Sequence, residues 1–158
     1  MDRADHLGQP VRIAPATKAD AADWLAMRTA LWPGGRDEEH AADIAELLDD
    51  AGETINLIAR DADGVALGFA EAALRHDYVN GCKTSPVAFL EGIFVKPEAR
   101  GRGVARALVS AVEAWAREQG CSEFASDAAL ENFASLDMHR ALGFVETQRV
   151  VFFRKVLG

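Results

Sequence analysis

Residues 88–108 read Ala88-Phe89-Leu90-Glu91-Gly92-Ile93-Phe94-Val95-Lys96-Pro97-Glu98-Ala99-Arg100-Gly101-Arg102-Gly103-Val104-Ala105-Arg106-Ala107-Leu108. The first eight are apolar apart from Glu91 and Gly92, the pattern of a strand buried on both faces. A basic, glycine-rich loop follows. A helix starts near Gly103, with Val104, Leu108, Ala111, Val112 and Trp115 apolar at helical spacing, and stops at Gly120. A strand that ends in such a loop and opens a helix is a place to bind phosphates. The first amides of a helix have no partner inside it, and the helix dipole favours negative charge there. The loop is no Walker motif, since no Gly-Lys-Ser/Thr follows, and Arg106 stands where a dinucleotide fingerprint wants a third Gly or Ala. Glu91 is the odd member of the strand. An unpaired buried carboxylate is expensive, so Glu91 is expected to be paired, protonated or turned into a cleft. Alternation places it on the face of Phe89 and Ile93. A salt bridge with Arg75 or Arg28 is its structural reading, and a site residue its functional one.

The rest of the chain arranges itself around this unit. Residues 1–9 are polar and aperiodic, a loose lead to a domain over residues 10–158. Val11-Arg12-Ile13 reads as a first strand. Thr17 and Asp20 mark a helix start, with Ala21, Trp24, Leu25, Arg28 and Leu31 on one face and a break at Trp32-Pro33-Gly34-Gly35. Asp37 is expected to cap a second helix with Ala41, Ile44, Leu48 and Ala51 inward, ended by Gly52. Residues 54–59 and 65–75 read as a hairpin around Asp61-Ala62-Asp63-Gly64. Residues 76–85 form a loop, the central strand runs over 87–95, and 121–126 is a short strand. Residues 132–142 form a last helix with Ala134, Met138 and Ala141 inward. Residues 144–156 are expected to make one bent strand or two. The order is βααβββαβαβ, one mixed α/β domain.

The 158 residues suffice for one domain with a real core. No apolar run approaches the roughly 18 residues of a membrane helix, and no secretory signal pattern opens the chain. Cys82 and Cys121 fit neither a disulfide framework nor a metal pattern, and His6, His40 and His76 do not group with other ligands. A cytoplasmic protein without metal or membrane partner is expected. The net charge of −8 argues against nucleic acid and suits a cationic partner, although from net charge alone solubility is the favoured account. Most of the acids between Asp37 and Glu53 are expected to form a solvated helix face.

The element order and the Arg100, Gly103, Ala105 signature resemble the GCN5-related N-acetyltransferase superfamily. Asn132, Ser135, Met138, Gly143 and Phe144 match a second signature of that superfamily, with His139 where Tyr is common. Four further words, Leu31-Trp32-Pro33-Gly34, Arg75-His76-Asp77-Tyr78-Val79-Asn80-Gly81-Cys82, Phe89-Leu90-Glu91-Gly92-Ile93-Phe94-Val95 and Ala125-Ser126-Asp127, are similar to aminoglycoside 6′-N-acetyltransferases. The resemblance implies an α/β fold with a mixed, mostly antiparallel sheet flanked by helices. It also implies acetyl-CoA as co-substrate, direct acetyl transfer to an aminoglycoside in a ternary complex, and a homodimer.

By the same resemblance, the pyrophosphate lies at Gly101, Arg102, Gly103, Val104, Ala105 and Arg106. The pantetheine arm lies along Ile93, Phe94 and Val95, with Asn132 near it; Asn132 also makes a good helix cap. Glu91 and Asp127 bind ammonium groups, and one assists deprotonation of the amine, which an unshifted glutamate near pKa ~4.3 does only weakly. Trp32 and Tyr78 form walls of the acceptor site. Gln148 stands where relatives can carry a substrate-contacting Glu. His139 is a candidate acid for the departing thiolate, although a thiol near pKa ~8.5 is a fair leaving group unaided. Two other readings stay open: acetylation of a polyamine or peptide amine, and a non-catalytic acyl-CoA sensor.

Overall fold

The computed structural model describes residues 10–50 and 52–158; the lead expected over residues 1–9 lies outside the described residues, as does Ala51. Five strands, β1 (Arg12–Pro15), β2 (Thr54–Arg60), β3 (Ala66–Arg75), β4 (Val87–Val95) and β5 (Phe124–Ser126), form one sheet in chain order. The first three pairings are antiparallel, and β4 pairs with β5 in parallel. Helices α1 (Ala21–Leu31) and α2 (Asp37–Asp49) cover one face, and α3 (Val104–Glu118) covers the other. The last helix, α4, spans Phe133–Ala141.

Each face has its own core. On the α3 side, Leu57, Leu90, Val104, Leu108 and Val112 are buried together, with Ile93 and Val95 against them. On the α1–α2 side, Trp24, Met27, Ile44, Ile58 and Phe69 are buried, with Phe94 against them. Each such large side chain contributes about 1.5–3 kcal/mol by leaving water. The turn between β2 and β3 forms as its sequence demands. The Asp61 carboxylate accepts the amides of Asp63 and Val65, both at 2.9 Å, and Gly64 takes the left-handed conformation at φ +83°.

Several expectations are corrected. Residues 144–156 form no strand: among the described residues no strand pairs with them, and the element order closes as βααβββαβα. The fifth strand has three residues instead of six: Phe124–Ser126 pair with Ala88–Leu90 of β4. In α4, Ala134 and Ala141 are exposed and no residue is fully buried; Ser135, Leu136, Met138 and His139 are half-buried. In α2, Arg36 is the N-cap and Asp37 the first helical residue. His40 rather than Ala41 joins Ile44 inward, and the helix ends at Asp49.

Candidate active site

The register of β3 on β4 matches Glu71 to Gly92 and Ala72 to Leu90, so Glu91 is an extra residue. Such a bulge re-aims the side chains around it. Leu90 and Ile93 both pack on the α3 side, which leaves Glu91 and Gly92 turned to the other face. Glu91 therefore shares a face with Phe89, as expected, but not with Ile93. Nor is it buried: its side chain is 38 % exposed and accepts two hydrogen bonds from Arg75 Nη2, at 3.0 and 3.1 Å. The Arg75 guanidinium lies 3.6 Å over the Phe89 ring. Of the two salt-bridge partners considered, Arg75 is the one found.

Arg28 serves a different carboxylate. Glu71, which no sequence pattern singled out, is buried opposite the bulge and takes Arg28 Nη1 at 2.5 and 2.6 Å and Trp24 Nε1 at 2.9 Å. Burial lifts the Glu71 carboxyl above the usual range, against the pull of Arg28 and Trp24. Arg28 also donates to Asp43 (2.9 Å) and, through Nε, to His40 Nδ1 (3.3 Å). Since Arg28 only donates, His40 Nδ1 accepts, and Nε2–H donates to the Trp32 carbonyl at 3.1 Å. Trp32 is thus fixed at both ends. Its carbonyl is held by His40, and its ring lies under the Arg28 guanidinium at 4.8 Å, edge-on to Phe69 and against Gly92. A side chain at position 92 would strike that ring, which is why glycine stands there.

At the other end of the unit, β5 stops at Ser126, opposite Leu90, while β4 runs on to Val95. Along residues 91–95 the β5 side of β4 therefore faces no strand. This fork holds Ile93, Phe94 and Val95. Beyond it, Gly101 and Gly103 adopt φ +79° and +78°, backbone that glycine alone takes readily. The first bond into α3, Ala107 N–H to Gly103 O at 3.0 Å, leaves the amides of Val104, Ala105 and Arg106 ahead of it. Arg100 Nε ties the loop to Val95 O at 3.1 Å. Arg102 is exposed at the loop's tip. The Arg106 guanidinium turns away, donating to Ala141 O at the end of α4 (3.0 Å), so only its backbone faces the loop.

Tyr78, Asp127, His139 and Gln148 line a single groove of about 1140 Å³ that has Arg75 on its wall. Tyr78 is 75 % exposed, and Asp127 and Gln148 are exposed. Trp32 and Glu91 do not line this groove; Glu91 joins it through Arg75. Asn132 caps α4, accepting the Ser135 amide at 3.1 Å. Cys82 is half-buried, and burial together with Glu123 pushes its thiol above the ordinary cysteine range, the reverse of an activated nucleophile.

Residues 21–144 match the acetyltransferase (GNAT) family. The chain belongs to the GNAT acetyltransferase family. Among its relatives, an aminoglycoside N(6′)-acetyltransferase type 1 of Serratia marcescens is 55 % identical over 135 residues, 85 % of this chain and 92 % of that protein. One from Acinetobacter genomosp. 13 is 49 % identical over 148 residues, 94 % of this chain and all of that protein. Among solved structures, AAC(6′)-Iy with the bisubstrate analog CoA-S-monomethyl-acetylneamine superposes with a TM-score of 0.87 at 50 % identity, covering 94 % of this chain and 99 % of that one. AAC(6′)-Ih from Acinetobacter baumannii gives a TM-score of 0.89 at 48 % identity, covering 94 % and 100 %. A GNAT acetyltransferase draws its acetyl group from acetyl-CoA. The open side of β4 and the partnerless amides at α3 suit that co-substrate, an extended amide-bearing arm ending in phosphates.

Proposed function

We propose that the chain transfers acetyl from acetyl-CoA to the 6′-amino group of aminoglycoside antibiotics, and that residues 10–158 form its single catalytic domain. One observation carries this: near 50 % identity over almost the whole length to an enzyme solved with a conjugate of CoA and an acetylated aminoglycoside. In this reading the pyrophosphate rests at the 101–106 loop and the pantetheine arm along residues 93–95, with Asn132 near it. The aminoglycoside occupies the acidic side of the fork, between Trp32 on one flank and Tyr78, Asp127 and Gln148 on the other. Glu91 and Asp127 hold ammonium groups, and one of them removes the proton, directly or through water. The freed amine attacks the thioester carbonyl, which backbone amides of β4 polarise. His139 protonates the leaving thiolate. The groove's carboxylates and the raised Cys82 thiol support direct transfer over an acyl-enzyme.

Incubation of kanamycin with acetyl-CoA and the enzyme is expected to yield a singly acetylated product, with the acetyl on the 6′-amine by NMR. Spermidine and short peptides run in parallel are expected to turn over far more slowly. No turnover of any 6′-amino aminoglycoside would sink the proposal.

We also propose a homodimer, working in the cytoplasm. Two free cysteines suit a reducing compartment. For the dimer, residues 144–158 carry strand-like sequence but no strand, with Phe152 and Phe153 91 % and 93 % exposed. Beside them β5 is the last strand of the sheet, its outer side unpaired. An apolar segment without a partner and an edge without a strand are complementary, and a second copy of the chain supplies both.

A further inference from the structure

We infer that Ser126 carries the proton between His139 and the fork of the sheet, a role that rests on the reading of His139 as the acid for the leaving thiolate. His139 Nδ1 lies 2.7 Å from the Ser135 carbonyl oxygen, its shorter contact, and 3.3 Å from the Ser135 hydroxyl, which accepts as readily as it donates. A carbonyl only accepts, so Nδ1 carries hydrogen whether the ring is neutral or charged. All proton exchange therefore passes through Nε2, which lies 2.8 Å from Ser126 Oγ. That oxygen in turn lies 3.3 Å from the Leu90 carbonyl.

The hydroxyl has one proton and two directions for it. With a neutral ring, the hydroxyl donates to Nε2. With an imidazolium, Nε2–H donates to Oγ, and the hydroxyl proton turns to Leu90 O. The Nε2–Oγ contact survives the change of charge, and the Leu90 carbonyl takes the hydroxyl proton once the ring is charged. A histidine held only for packing needs no partner that both gives and accepts. The place is equally specific. Ser126 is the last residue of β5, paired with Leu90 where the two strands part, one residue before Glu91. The imidazole is kept half-buried, with the Phe144 ring edge-on at 5.2 Å. Ser126 thus stands between the imidazole and the fork.

The step balances. As the tetrahedral adduct collapses, the C–S electron pair goes to sulfur. The Ser126 hydroxyl gives its proton to that thiolate while Oγ takes one from the imidazolium Nε2. Free CoA thiol leaves, serine is unchanged and His139 is neutral. The ring recharges from solvent, which receives the proton lost by the acceptor ammonium.

Ser126→Thr and Ser126→Val are nearly isosteric and differ in the hydroxyl, so their single-turnover rates of acetyl transfer to kanamycin are the test. Proton transfer from a placed acid is worth 10²–10⁴-fold, and a thiolate leaves partly unaided, so Val is expected to fall about tenfold below Thr. The KM for acetyl-CoA is expected to stay within about twofold in both. Combining Ser126→Val with His139→Gln is expected to be no slower than the slower single variant, since the two act as one unit. Equal rates for Thr and Val, or losses that multiply in the double variant, overturn the inference. If His139→Gln is itself as fast as wild type, the acid reading fails and takes Ser126 with it. If His139→Gln is slow while Thr and Val match, only Ser126 is dismissed.

Discussion

Glu71 pairs with Gly92, next to the bulge residue Glu91, and the surroundings of the two acids give them opposite work. Glu71 is buried with its partners Arg28 and Trp24, and removing one partner leaves a buried charge uncompensated. Glu71→Ala is expected to cost about 3–5 kcal/mol in urea unfolding. Glu91 sits on the bulge with an exposed partner, and exposed pairs are worth about 0–1 kcal/mol. Glu91→Gln is therefore expected to unfold within about 1 kcal/mol of wild type. If Glu91 is the base, its acetyl transfer to kanamycin falls by about 10²-fold or more. A Glu91→Gln enzyme and an Asp127→Asn enzyme that both keep the wild-type rate and pH profile would reject the scheme for the base. The signal for Glu71 was present: an acid within the apolar run of β3, and an arginine on the inward stripe of α1. What sequence lacked was their pairing, which depends on how α1 crosses the sheet.

At the scale of elements, the hydrophobic pattern finds β4 at its observed bounds and the start of α3 near Gly103, which is its N-cap, because burial on both faces and helical spacing are local signals. The bulge was not legible, since alternation assumes an unbroken ladder, and one extra residue reverses which side Ile93 takes. The capping signal at Thr17 and Asp20 does open a helical turn that leads into α1, and the structure adds a second use for the acid. Asp20 accepts the Thr17 amide at 2.8 Å and Arg60 Nη2 at 2.6 Å, tying the entry of α1 to β2. Burial alone would raise the Asp20 carboxyl, but Arg60 and the Thr17 amide outweigh it and hold it below the ordinary value. The folded state therefore binds fewer protons there than the unfolded chain. The contribution is fully present above the unfolded carboxylate value near pH ~3.9 and is lost as pH falls through the depressed one. Asp20→Asn is expected to be less stable than wild type at pH 7 and to converge on it in acid, as read by urea midpoints at stepped pH. A constant gap down to the lowest pH would show that the carboxylate's charge contributes nothing.

At the scale of the whole molecule, the expectation of a closing strand over residues 144–156 failed only in what the single chain shows. Val150, Val151, Phe152 and Phe153 are apolar on both faces of any strand they could form, which is the pattern of a strand inside a sheet. Within one chain these residues stand in solvent. Burying a side chain of this size gains about 1.5–3 kcal/mol, so leaving the segment exposed is costly. Exchange between two copies ends that cost twice over in one symmetric contact. It also bears on the site, because Gln148 and Phe152 line the same groove as Tyr78, Asp127 and His139. Light scattering of the wild type is expected to give twice the chain mass at micromolar concentration. Phe152→Glu with Phe153→Glu is expected to give the single mass and a raised KM for kanamycin, with the KM for acetyl-CoA little changed. The segment could instead fold back on its own β5. That arrangement gives a wild type of single mass at every concentration, and such a result would dismiss the exchange.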